Sequence, residues 1–129
     1  MSESDELEEI RARKAEELGT PDSPDEPVHL GGDADFEAFV SDHDVVLVDF
    51  YADWCGPCQQ LEPVVASVAA ETDAAVLKVD VDARQALAAE HGVRSIPTLL
   101  VFADGEQVER LVGLQQEGQL RDLLAEYAA

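Results

Sequence analysis

Both cysteines of the chain stand three positions apart, in Trp54-Cys55-Gly56-Pro57-Cys58. Two thiols at that spacing can close a small disulfide ring, open it and close it again, provided that the leading sulfur ionises and stays accessible. The pentapeptide follows the apolar run Val45-Val46-Leu47-Val48-Asp49-Phe50-Tyr51 at a strand-to-helix junction. Unpaired backbone N–H groups and the positive end of the helix dipole there favour an anion at Cys55, the expected nucleophile. Cys58, one turn further on the same helical face, is expected to be less exposed and to act as the resolving thiol. Pro57 falls in the first turn, where its missing N–H costs nothing, and it stiffens the ring. A structural disulfide fits an intracellular chain poorly, and so small a ring removes little loop entropy. A zinc site needs further ligands, yet only His29, His43 and His91 remain, without finger spacing. Redox catalysis without a metal is the chemistry this pair supports.

Asp49 lies six residues before Cys55, inside the apolar run. If buried, it is costly as an anion and its pKa rises toward a value useful for proton transfer, so it could take the proton of Cys58. The same pattern also allows an acid at a strand end that leans into water. Lys78 sits mid-strand between Leu77 and Val79. It either pairs with Asp49 across neighbouring strands or snorkels outward, and pattern alone favours the second. Pro97 in Ile96-Pro97-Thr98 belongs at a strand start, since it cannot donate to a ladder, and a trans bond is the commoner form. Trp54 could be ordinary core, but its place beside a reactive thiol favours a shield and an apolar platform for substrates.

These residues need a frame. The unalternating run from Val45 to Phe50 predicts a strand buried on both faces, as in the middle of a sheet covered by helices. Val28-His29-Leu30 reads as a short edge strand, and Asp33 as the cap of a helix with Phe36, Phe39 and Val40 inward. After the cysteines, Leu61, Val64, Val65, Val68 and Ala69 form a helical core stripe, interrupted at Pro63, where a kink is expected. Ala75 to Val81 reads as a second buried strand and Arg84 to Glu90 as a short helix. Thr98 to Phe102 and Gln107 to Val112 flank an Asp104-Gly105 hairpin turn, and a last helix carries Leu120, Leu123, Leu124 and Tyr127 on one side. The order β-α-β-α-β-α-β-β-α predicts an α/β fold, a central mixed sheet with helices on both faces.

Residues 1–27 form an acidic extension, a thin-striped helix from Asp5 to Leu18 capped at Gly19 and followed by a proline-rich linker; residues 28–129 are the folded domain. The 129-residue chain carries 29 acids against 8 bases, a net charge of −21. Nucleic acid and anionic membranes are therefore not expected as partners. Such a surface is that of an acidic mesophilic protein or, given the size of the charge, of a protein from a salt-loaded cytoplasm, where roughly 1 M salt shortens the Debye length to about 3 Å. No apolar segment reaches bilayer-spanning length and the start lacks an export signal, so a cytoplasmic protein is expected.

Taken together, Val46-Leu47-Val48-Asp49-Phe50-Tyr51-Ala52-Asp53-Trp54-Cys55-Gly56-Pro57-Cys58, Ile96-Pro97-Thr98-Leu99 and Gly113 resemble the thioredoxin family, in order and spacing, from about Val28 onward. The resemblance implies the thioredoxin fold and protein-disulfide reduction by dithiol-disulfide exchange, with Cys55 attacking and Cys58 resolving. It implies that Asp49 is the buried proton acceptor, Lys78 the lysine beside it, and Pro97 a cis-proline facing the disulfide. Trp54, Gly56, Pro57, Ile96 and Gly113 then belong to the surface that receives protein substrates. It further implies disulfide-containing client proteins, a flavoprotein thioredoxin reductase as electron donor, a monomer and no bound cofactor. The Gly-Pro dipeptide is the family's reductase form; a redox-responsive binding module, or an isomerase or oxidase of the same fold, are the alternatives. Three departures stand out: Tyr51 where tryptophan is common, Gln59 where a basic residue is frequent, and the acids Asp53 and Glu62 near the thiol.

Overall fold

The computed structural model describes residues 24–128 apart from residue 33. The expected helix from Asp5 to Leu18, its Gly19 cap and the Asp33 cap lie outside the described residues. The elements are Val28–His29 (β1), Ala34–Asp42 (α1), Val45–Tyr51 (β2), Gly56–Glu71 (α2), Ala75–Asp80 (β3), Gln85–Glu90 (α3), Thr98–Ala103 (β4), Glu106–Val112 (β5) and Glu117–Tyr127 (α4). Their order is the one the patterning predicts.

The five strands form one sheet in the order β1-β3-β2-β4-β5. β1 and β2 run parallel to β3, whereas β4 is antiparallel to both β2 and β5, so the sheet is mixed. β2 lies at the centre and is buried along almost its whole length, which is why its sequence lacks alternation. Successive side chains nonetheless point to opposite faces. Val46, Val48 and Phe50 join Leu77, Val79 and Leu100 under Phe36 and Val40 of α1 and Leu87 of α3. Val45 and Leu47 join Val76, Leu99 and Val101 under Leu61, Val65 and Val68 of α2 and Leu120 and Leu124 of α4. Asp49 continues the second series, so it faces the side that α2 covers.

Two local features orient the site. Cys55 caps α2 in an extended conformation (φ −92°, ψ 113°), ending the strand-to-helix turn, and the helix runs on through Pro63 to Glu71. Asp104 (φ 52°) and Gly105 (φ 85°) both take the left-handed region that an Asp-Gly hairpin turn requires, folding β5 back along β4. On the far side, Arg121 of α4 binds Glu71 of α2, Glu117 one turn back at 2.8 Å and the Ser67 hydroxyl, tying the two helices together.

Candidate active site

Cys55 and Cys58 are joined as a disulfide with their Cα atoms 5.2 Å apart. The N–H of Cys58 donates to Cys55 Sγ at 3.2 Å, so one of the donors in the first turn of α2 is aimed at the leading sulfur. The Ile96 carbonyl oxygen lies 3.9 Å from the same sulfur. Ala52, Val81, Tyr51 and Ile96 pack around the pair, leaving Cys55 only 4% and Cys58 2% exposed. The difference runs in the expected direction but is small: in the closed ring the leading sulfur is tucked under its neighbours, contrary to the expectation of an accessible thiol.

Ile96-Pro97 is a cis peptide bond, although the residues taken alone favour trans. It sets the Ile96 carbonyl toward the disulfide, and the Pro97 carbonyl accepts the N–H of Gly113 at 2.8 Å. Gly113 has φ 95°, and a Cβ there would meet nothing within 4 Å. Backbone conformation, not space, therefore explains the glycine. Gly56 and Pro57 are exposed at the start of α2.

Trp54 is not core: it is 70% exposed. Its indole N–H donates to Asp82 Oδ2 at 2.9 Å, which fixes the ring at the rim of the site. Among the described residues, Val112 and Leu114, on either side of Gly113, are the other large apolar residues left open.

Asp49 is wholly buried, and neither carboxylate oxygen has a hydrogen-bond partner. Burial pushes its pKa from 3.8 to about 6; the Lys78 charge opposes the rise and the Glu62 charge adds to it. Lys78 is the register partner of Asp49 between β2 and β3, only 4% exposed, with Nζ 3.7 Å from Asp49 Oδ2. The snorkelling expectation is thus overturned, because α2 covers this face and the ammonium lies under it, between the buried Asp49 carboxylate and that of the half-exposed Glu62. Nζ donates to Glu62 Oε2 at 3.1 Å and lies 4.2 Å from the centre of the Tyr51 ring. Sequence reasoning treated Glu62 only as a negative charge near the thiol and passed over Asp82. The signal for Glu62 was available: it stands four residues after Cys58, one turn along the same helical face.

Comparison with known proteins agrees with this geometry. The family model described as Thioredoxin matches residues 27–126. The chain belongs to the thioredoxin family. It is 49% identical over 84 residues to the thioredoxin of Chlamydia muridarum, a match covering 64% of this chain and 82% of that protein. A solved mutant thioredoxin from Halobacterium salinarum NRC-1 is 61% identical with a TM-score of 0.80, covering 83% of this chain and 95% of that one. A yeast chain solved in work on the thiol-resolving mechanism of mitochondrial 1-Cys peroxiredoxin via glutathione/thioredoxin systems is 27% identical, with a TM-score of 0.71, covering 81% of this chain and 98% of that one. Like other thioredoxins, the protein is a dithiol-disulfide oxidoreductase that reduces protein disulfides, and its joined cysteine pair fits the family's Cys-X-X-Cys site.

Proposed function

We propose that Cys55 is the attacking sulfur, Cys58 the resolving one and Asp49 the acceptor of the Cys58 proton, with Lys78 modulating Asp49. The observation that carries this order is the Cys58 N–H aimed at Cys55 Sγ at the start of α2, which favours negative charge on that sulfur and not on the other. Cys55 thiolate attacks a client disulfide, forming a Cys55–client bond and releasing one client thiolate. Cys58 then gives its proton to Asp49, its sulfur attacks Cys55, and the second client thiolate leaves. The client gains two electrons, which the protein loses as the ring closes. In the dithiol form, iodoacetamide should alkylate Cys55 roughly tenfold faster than free cysteine at neutral pH, as expected of a thiol ionising more readily. Peptide mapping showing equal labelling of the two thiols would overturn the assignment.

Trp54, Gly56, Pro57, Ile96, Pro97 and Gly113 form the surface for client polypeptides, with Val112 and Leu114 as its apolar margin. Dithiol exchange requires a disulfide to reduce and a source of two electrons; likeness to the family assigns these to client proteins and a flavoprotein reductase. The protein acts as a monomer, since a second copy seated on this margin would hide the disulfide. Residues 1–27 are an acidic extension outside the redox domain. Among the described residues no helix is long and apolar enough to cross a membrane. We place the protein in a reducing, salt-rich cytoplasm, a reading supported by the net charge of −21 and the likeness to the Halobacterium salinarum protein.

That charge has a measurable consequence. Repulsion among 29 acids is screened as the Debye length falls from about 10 Å at 0.1 M to about 3 Å at 1 M salt. The melting temperature should rise by about 5 °C or more between 0.1 and 2 M KCl, the size of a change of roughly 1 to 2 kcal/mol in a domain of this length. A melting curve indifferent to KCl would remove the case for halophily.

A further inference from the structure

The ion pairs around Lys78 are arranged against the interest of stability alone. An ammonium has three donors, and a wholly buried carboxylate has the most to gain from one, because it has lost its contact with bulk water. Yet Nζ donates to Glu62 at 3.1 Å, a side chain that is 56% exposed, and stands 3.7 Å from Asp49, outside hydrogen-bond range. Among the described residues no group stands within 3.5 Å to donate a hydrogen bond to either oxygen of Asp49. The other groups facing it do not make good the loss. Leu99 of β4 is its apolar register partner, and Tyr51 lies two residues along its own strand with its ring against the ammonium.

We propose that Glu62 is a positioning residue: by holding the Lys78 ammonium toward the surface, it keeps hydrogen bonds off Asp49 and leaves that carboxylate free to take the proton of Cys58. The inference rests on the reading of Asp49 as proton acceptor. Glu62 touches no reacting atom. Its effect passes through Lys78: without the Glu62 carboxylate, the ammonium turns to its remaining anionic neighbour, stabilises the charged form of Asp49 and makes it a weaker base. The negative charge of Glu62 acts in the same direction, adding to the rise that burial imposes on Asp49.

The test follows the resolving step in the full-length protein. Cys55 is converted to its mixed disulfide with thionitrobenzoate, and release of the yellow thiolate by Cys58 is timed as a function of pH. In Glu62→Gln the inflection belonging to Asp49 should move down by about one pH unit, with release at neutral pH slowed about threefold. In a Lys78→Met background the same substitution should move the inflection by less than half as much, because the group through which Glu62 acts is gone. Thermal melts establish that each variant is folded. An unmoved inflection in Glu62→Gln, alongside its loss in Asp49→Asn, overturns the proposal and leaves the role of Asp49 standing. Equal shifts with and without Lys78 also overturn it, since Glu62 would then act by its own field. Retention of the inflection in Asp49→Asn sinks both this proposal and the reading beneath it.

Discussion

Cys58→Ser should hold client proteins as covalent mixed disulfides, whereas Cys55→Ser should capture none. Either change should reduce catalytic disulfide reduction on the order of 10³-fold or more, because the two thiols act as one unit. The asymmetry follows from position. Cys55 terminates the strand-to-helix turn and its sulfur receives an N–H from the first turn of α2, so it can attack without Cys58; the attached client then stays until a neighbouring sulfur displaces it. Cys58 is within reach, with its Cα 5.2 Å from that of Cys55, inside the span a disulfide bridges. Replacing its sulfur with oxygen removes the displacing nucleophile while altering packing little. Non-reducing gels of an insulin-type substrate mixed with each variant give the answer directly. Equal capture by the two variants would mean that the attacking and resolving roles are not divided as proposed.

Asp49→Asn should make the protein more stable and a poorer catalyst. Burial raises the folded pKa of Asp49 to about 6 from an ordinary 3.8. Between those values the folded protein binds a proton that the unfolded chain has lost, so stability falls as pH rises through this window. Below 3.8 both states are protonated and the penalty is absent; above about 6 both are ionised and it is complete. The difference corresponds to about 3 kcal/mol at neutral pH. An asparagine escapes the charge penalty but keeps an amide without partners, so the expected gain at pH 7 is about 1 to 3 kcal/mol, shrinking toward zero near pH 4. Urea melts across this range check it, and a variant less stable than wild type at pH 7 would contradict burial as the dominant influence. Catalysis moves the other way: without a proton acceptor, resolution should slow roughly 10²-fold, the usual contribution of a general base.

These opposed effects would mark Asp49 as a position whose burial cost serves the proposed proton transfer. Its cost is limited by Lys78, which approaches to 3.7 Å without donating a hydrogen bond, and Lys78 is in turn held by Glu62. Fully pairing Asp49 would stabilise the fold and weaken the base. On the proposed mechanism the site keeps one buried carboxylate under-served, beside a ring whose closing needs a proton to move.

Much of this was legible in the chain itself. The cysteine spacing named the chemistry, because two thiols at the head of a helix have one efficient use. The element order followed from local pattern: an unbroken apolar run for β2, a helical stripe for α2, and an Asp-Gly turn for the β4–β5 hairpin. What pattern did not decide was where the less ordinary side chains went. Pattern alone sends Lys78 outward, yet it lies inside; Trp54, whose place beside the thiol favours a platform over core, stands at the rim, held by Asp82. Asp49 was evenly placed between wet and dry and is dry, while Ile96-Pro97 is cis where local odds favour trans. The common reason is that periodicity assigns a residue to a face of its own element but says nothing about what covers that face. For Asp49 and Lys78 the cover is α2, whose Glu62 arrives from a part of the chain that neither strand can anticipate.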